Sequence, residues 1–152
     1  MPSFSVRPAS PLDVPAIHAL IAELAEFEKA PHEFVATTET LSDVLFGSEP
    51  WVWAWVAEVN EEVVGTAIVY RRYSTWKGPV LYLEDFVVRE SHRSQGIGGA
   101  LFETCLDFAR AKNFSRMVWQ VLDWNQEAHR FYQRYGAWFD AGWWNAGIDL
   151  ST

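Results

Sequence analysis

Residues 81–110, LYLEDFVVRESHRSQGIGGALFETCLDFAR, decide how the chain folds. Residues 81–88 are dense in aromatic and β-branched side chains and read as a strand. Leu101, Cys105, Phe108 and Ala109 recur at helical spacing, so a helix begins near Gly98. Between the two lies Arg93-Ser94-Gln95-Gly96-Ile97-Gly98-Gly99. Glycine opens backbone torsions closed to other residues and lets a ligand approach the main chain. The free N–H groups of the new helix, with its dipole, make an anion site. Arg93 adds a planar cationic fork suited to phosphate. The Gly-Lys-Ser/Thr ending of a P-loop is missing. A dinucleotide fingerprint is missing too, because Leu101 stands where its third glycine belongs.

Working outward, residues 4–7 form a short first strand. Ser10-Pro11-Leu12-Asp13 reads as a helix start, with a capping serine, proline at the first helical position and an acid three residues after the cap. Ile17, Leu20, Ile21 and Leu24 form its buried stripe. Glu28 continues that stripe at the helix end, facing either water or a cleft. Residues 38–46 form a second helix, and the loop 29–37 is a candidate wall for a substrate channel. Residues 51–57 are a strand with apolar residues on both faces, to be covered by helices or by another subunit. Asn60-Glu61-Glu62 is a hairpin turn. Residues 63–73 return, with Gly65 as a candidate bulge.

Residues 74–79 lead into the central strand, and Trp76 within them reads as a loop anchor. Past the glycine loop and its helix, residues 117–122 are another strand. Asp123-Trp124-Asn125 is a turn, and Asn125 caps the next helix. Ala128, Phe131, Tyr132 and Tyr135 share an apolar face, and Gly136 stops that helix. Residues 137–152 are expected to hold one or two short strands. The order implies a mixed α/β layer with helices on both faces.

The 152 residues make one domain, 1–152, long enough for a real core. No apolar run approaches the roughly 20 residues of a membrane span, so no membrane is expected as partner. The opening MPSFSVRPAS lacks a basic-then-apolar signal, which gives a cytoplasmic reading. The one cysteine excludes an internal disulfide or a cysteine metal cluster, and Cys105 falls on an apolar helix face. His18, His32, His92 and His129 show no metal spacing and are expected in solvent; no metal is expected. The net charge of −8 argues against nucleic acid as a partner. It suits a cationic small molecule, although solubility alone also explains it.

The motif Arg-x-x-Gly-x-Gly after a strand resembles the pyrophosphate loop of the GNAT superfamily of N-acetyltransferases. Asn125, then Phe131-Tyr132, then Gly136-Ala137 resemble that superfamily's last block. More narrowly, Tyr73-Ser74-Thr75-Trp76-Lys77-Gly78, Leu81-Tyr82-Leu83-Glu84-Asp85 and Leu122-Asp123-Trp124-Asn125-Gln126 look like the diamine branch, which includes spermidine/spermine and thialysine acetyltransferases. The resemblance runs over residues 4–144. It implies a mixed, mostly antiparallel sheet of six to seven strands with a splay, helices on both faces, and acetyl-CoA as cosubstrate.

The resemblance also assigns roles. Main-chain groups of Phe86 and Val88, at the splay, would pair with the pantetheine arm. Arg93, Ser94, Gln95, Gly96, Ile97, Gly98 and Gly99 would hold the pyrophosphate, and Asn125 would contact the cofactor. Tyr132 would stand near the thioester sulfur as general acid. Glu84 and Asp85, with Glu28, Trp76 and Trp143, would line the amine site. Ser94 departs from the family by standing where glycine is usual. The chain also stops soon after Trp144, where the branch carries a tail that shapes the dimer and the amine site.

The chemistry suits those residue types. An alkylamine has a pKa of about 10, so at pH 7 only about one molecule in a thousand is nucleophilic. Removing its proton costs about 4 kcal/mol. A carboxylate beside the cation attracts it and accepts that proton, directly or through water. Glu84 is the candidate base, or a charge partner alone. Strand alternation sends Asp85 to the opposite face unless a bulge intervenes. Trp76 becomes a candidate cation–π wall. The expected activity is direct acetyl transfer to the primary amine of a small aliphatic, diamine- or polyamine-like acceptor, by a homodimer. Two rivals are the same transfer to a lysine-like amino acid, with Arg71 or Arg72 for the acceptor carboxylate, and a non-catalytic acyl-CoA-binding module.

Overall fold

The structure, a computed structural model, describes residues 3–150. They divide into two compact units between Gln120 and Val121. The first unit runs β1 (Ser5–Pro8), a 3-10 turn, α1 (Val14–Phe27), a second 3-10 turn and α2 (Thr38–Phe46). It continues with β2 (Val52–Val59), β3 (Glu62–Ser74), β4 (Gly78–Val88), a third 3-10 turn, α3 (Ile97–Ala111) and β5 (Met117–Val118). The second unit carries α4 (Gln126–Gln133).

The sheet order is β1-β2-β3-β4-β5. The first three pairings are antiparallel and β4–β5 is parallel, so the sheet is mixed. It has five strands among the described residues, not the six to seven expected. β5 covers only the first two residues of the expected 117–122, pairing with Leu81 and Tyr82 of β4. Residues 137–150 hold no strand and are almost entirely exposed. Their aromatic content suggested strands, but β propensity without a ladder partner makes none.

Alternation along β2 explains how both sheet faces are covered. Val52, Ala54 and Val56 join Ile17 and Leu20 of α1 and Leu45 of α2 in one buried cluster. Trp53 and Trp55 point the other way, each within about 5 Å of the Phe108 ring on α3, at 5.2 and 5.0 Å. Helices on opposite faces therefore cover this strand without help from a second copy, and only Trp51, at its start, stays 58% exposed. Cys105 is buried in the α3 core as expected, and burial pushes its thiol up to about 12.

The hairpin turn sits where it was read, with Asn60 and Glu61 both at positive φ, the torsions a two-residue antiparallel turn needs. The β2–β3 bulge falls at Val64, next to Gly65: the ladder pairs Ala57 with Gly65 and Glu58 with Val63. At Gly65 a Cβ would crowd Leu101 Cδ1 at 3.1 Å and the Val87 carbonyl at 3.2 Å, so its lack of a side chain lets α3 sit close. At the entry to α1, Arg7 donates to both Asp13 oxygens, at 2.7 and 2.9 Å, and also pairs with Glu58. Ser10 N–H donates to Asp13 at 2.7 Å. Two of the histidines expected in solvent instead donate from Nε2 to carbonyls at 2.9 Å, His18 to Ala36 and His129 to Leu122. No described helix is long and apolar enough to cross a membrane.

Candidate active site

The register of β4 builds the centre of the site. β3 and β4 pair Val69 with Leu83 and Ile68 with Asp85, which leaves Glu84 as an extra residue. Such a bulge breaks strict alternation and re-aims side chains. Glu84 and Asp85 can therefore serve one face, which a regular strand forbids. The electrostatics bear this out. Burial, then the negative charges of Glu84 and of Glu28, push the Asp85 carboxyl up to about 7. Glu28, at the C-cap of α1, is itself raised by desolvation. Three of the expected amine-site acids are thus brought together.

Two tyrosines complete that group. Tyr70 and Tyr82 are cross-strand partners with ring centroids 5.3 Å apart. The Tyr70 phenol is raised by burial and then by the negative charge of Glu84. Tyr82 is raised by burial and then by Glu84. Trp51 packs edge-on against Tyr70 at 5.8 Å. None of these three was read as a site residue. Tyr82 was findable, since it lies two residues from Glu84 on one strand; Tyr70 required the register.

Trp76 behaves differently. It is 87% exposed and so does not anchor its loop. The turn is organised by Ser74, whose hydroxyl oxygen accepts from Trp76 N–H at 3.3 Å and Lys77 N–H at 3.1 Å.

The glycine loop has the shape its sequence suggested. Gly96 is the N-cap of α3 at φ 84°, and Ser94 also sits at positive φ, 63°. The first helical bond runs from Ala100 N–H to Gly96 carbonyl at 3.1 Å. The N–H groups of Ile97, Gly98 and Gly99 therefore precede it and have no helical partner. A Cβ at Gly96 would meet nothing within 4 Å, so the main chain is approachable there. Arg93 is held in place: its Nε donates to the Val88 carbonyl at 3.1 Å and its guanidinium stacks 5.5 Å from the Phe27 ring. Phe27 is a further residue that sequence reasoning missed. This surface fits a diphosphate by both hydrogen-bond donors and charge.

Beyond Tyr82, β4 continues to Val88 with β3 on one side and no further β5 pairing on the other. Phe86 is half-buried with its ring 5.7 Å from Phe102.

In the second unit, Asn125 Oδ1 accepts from Ala128 N–H at 3.2 Å, the expected cap of α4. Tyr132 is buried on that helix, with the Phe131 ring edge-on at 5.4 Å. Gly136, at φ 76°, ends the helix turn, and Ala137 N–H donates to the Tyr132 carbonyl at 3.2 Å. Trp143 is 78% exposed and its indole N–H donates to Asp140 at 3.0 Å.

The sequence profile of the Acetyltransferase (GNAT) family matches residues 17–137. The chain belongs to this family. It is an acyltransferase, and the family takes its acetyl group from acetyl-CoA. It is 37% identical over 145 residues to a thialysine N-epsilon-acetyltransferase of Mus musculus, covering 90% of this chain and 85% of the mouse protein. It is 34% identical over 144 residues to the spermidine/spermine N(1)-acetyltransferase-like protein 1 of Homo sapiens, covering 90% of this chain and 21% of that protein. An aminoglycoside acetyltransferase from an uncultured soil metagenomic sample, solved in complex with sisomicin, has the same fold. Its TM-score is 0.78 at 19% identity, over 97% of each chain.

Proposed function

We propose that this acyltransferase moves the acetyl group of acetyl-CoA directly to the primary amine of a small aliphatic amine. The β4 bulge carries the reading, because it lets Glu84 and Asp85 serve one face, where the charge of Glu28 at the end of α1 also acts on Asp85. Such acids attract an ammonium. A carboxyl poised near 7 also takes a proton from it and releases that proton again at neutral pH. In this reading Glu84 accepts the proton, directly or through water, with the Asp85 carboxyl beside it. Arg93 and the loop 94–99 hold the pyrophosphate. Phe86 and Val88 align the pantetheine arm through their main chain, and Asn125 contacts the cofactor. Tyr132 protonates the departing thiolate, as expected of a phenol that is protonated at neutral pH.

A second acceptor, a lysine-like amino acid, is supported about equally by the similarity to the thialysine enzyme. Either way the enzyme is read as a cytoplasmic homodimer. Apolar surface for a second copy comes from exposed Trp138, Trp143 and Trp144.

The test is thiol release from acetyl-CoA against a panel of diamines and basic amino acids, for the wild type and Tyr132→Phe. The variant is expected to bind CoA normally and to lose turnover by about 10²-fold or more. A wild type that binds CoA tightly yet acetylates no amine would refute the reading.

A further inference from the structure

We infer that Arg72 reads a carboxylate on the acceptor, so that the site selects an amino acid bearing a side-chain amine over the diamine that lacks the carboxylate. The inference rests on the acetyl-transfer reading above and narrows its acceptor.

The register places Arg72 on the same sheet face as the acids. Ile68 lies in the core cluster under α1, and Tyr70 packs against that cluster. Period-two alternation then puts Arg72 on that face and Arg71 on the other. Contacts agree. The Arg72 guanidinium lies 5.3 Å from the Tyr82 ring, whereas that of Arg71 lies 5.9 Å from Phe114, just past α3. Tyr82 is the ring that Glu84 and Asp85 also influence, and Arg72 acts on its phenol in the opposite direction. Positive and negative groups thus share one aromatic floor. Arg72 is exposed and forms no ion pair among the described residues, so its fork is available to a ligand.

The spacing fits one molecule. Ile68, opposite Asp85, and Arg72 are four residues apart on β3, roughly 13 Å of strand. Tyr82 is the partner of Tyr70, so by leaning over that ring Arg72 shortens the gap by two residues. The separation left is about 7 Å. A lysine-length amino acid holds its side-chain amine and its carboxylate about that far apart when extended. The acids take the ammonium end, the tyrosines the methylenes, and Arg72 the carboxylate through paired N–H donors. A diamine offers Arg72 a second cation instead, which like charge disfavours.

The experiment compares kcat and KM for L-lysine against cadaverine, and for L-ornithine against putrescine. Each pair differs only in the carboxylate. Wild type, Arg72→Ala, Arg72→Lys and the opposite-face control Arg71→Ala are measured. The wild type is expected to prefer an amino acid over its diamine. Arg72→Ala should raise KM for that amino acid about tenfold or more, the worth of a charge-assisted hydrogen bond, with kcat little changed. KM for the diamine should stay level or fall. Arg72→Lys should recover part of the loss, and Arg71→Ala should match the wild type. A wild type that prefers diamines, or an Arg72→Ala change that weakens both acceptors alike or neither, overturns the inference but leaves acetyl transfer standing. No turnover with any acceptor overturns both.

Discussion

Asp85 is the side chain farthest from its ordinary chemistry in this site. Its carboxyl rises from 3.8 to about 7, so at neutral pH it is close to half protonated. Its folded-state pKa lies above its unfolded one. The stability it contributes is therefore complete below about 4 and is lost as pH rises through about 7. Above that range, folding confines a charge against Glu84 and Glu28. Asp85→Asn removes the charge. We expect the variant to be more stable than the wild type at pH 8 by about 1–2 kcal/mol, allowing for its partial exposure. The difference should fade by pH 4, while amine acetylation falls at all pH values. Urea unfolding at the two pH values measures this. An equal gain at both would mean that packing, not charge, limits stability here.

The loop and helix that open α3 make the clearest case for reading elements from sequence. Strand, turn and helix all lie where the pattern of residues 81–110 put them. α2 spans the expected 38–46, and α4 begins at its predicted cap, Asn125. Local periodicity and capping chemistry carry such information within one segment. The bulge at Glu84 was not legible in that way. It is a mismatch of register between β3 and β4, and register belongs to two strands at once. Tyr70 and Arg72 went unplaced for the same reason.

Ser94 illustrates the opposite case, a departure visible in sequence whose meaning needed torsions. At φ 63° it occupies the left-handed region, which costs a non-glycine residue about 1–2 kcal/mol. Ser94→Gly should relieve that strain, less the about 0.4–1 kcal/mol of added unfolded-chain entropy. We expect a net gain of about 0.5–1 kcal/mol, seen as a higher Tm. A lower Tm would show instead that the serine hydroxyl stabilises the loop.

For the molecule as a whole, the family and mixed α/β class were legible, while the strand count was not. Residues 137–150 carry Trp138, Phe139, Trp143 and Trp144, a strand-like composition, yet all four are exposed. Composition states what a segment could pair with, and pairing needs a partner elsewhere in the chain. Net charge was legible but ambiguous. The −8 balance acquires a local meaning once Glu28, Glu84 and Asp85 are found in one group, because a focused negative site draws cations from solution. Its steering should weaken as salt screens it.

Mass spectrometry of the amine after incubation with acetyl-CoA, for the wild type beside a Glu84→Gln/Asp85→Asn variant, tests most directly whether these acids serve acetyl transfer. The expected result is an acetylated amine from the wild type, and a variant that still binds CoA but forms product about 10²-fold or more slowly. A variant that acetylates the amine at the wild-type rate, or a wild type that forms no acetylated amine, would contradict it.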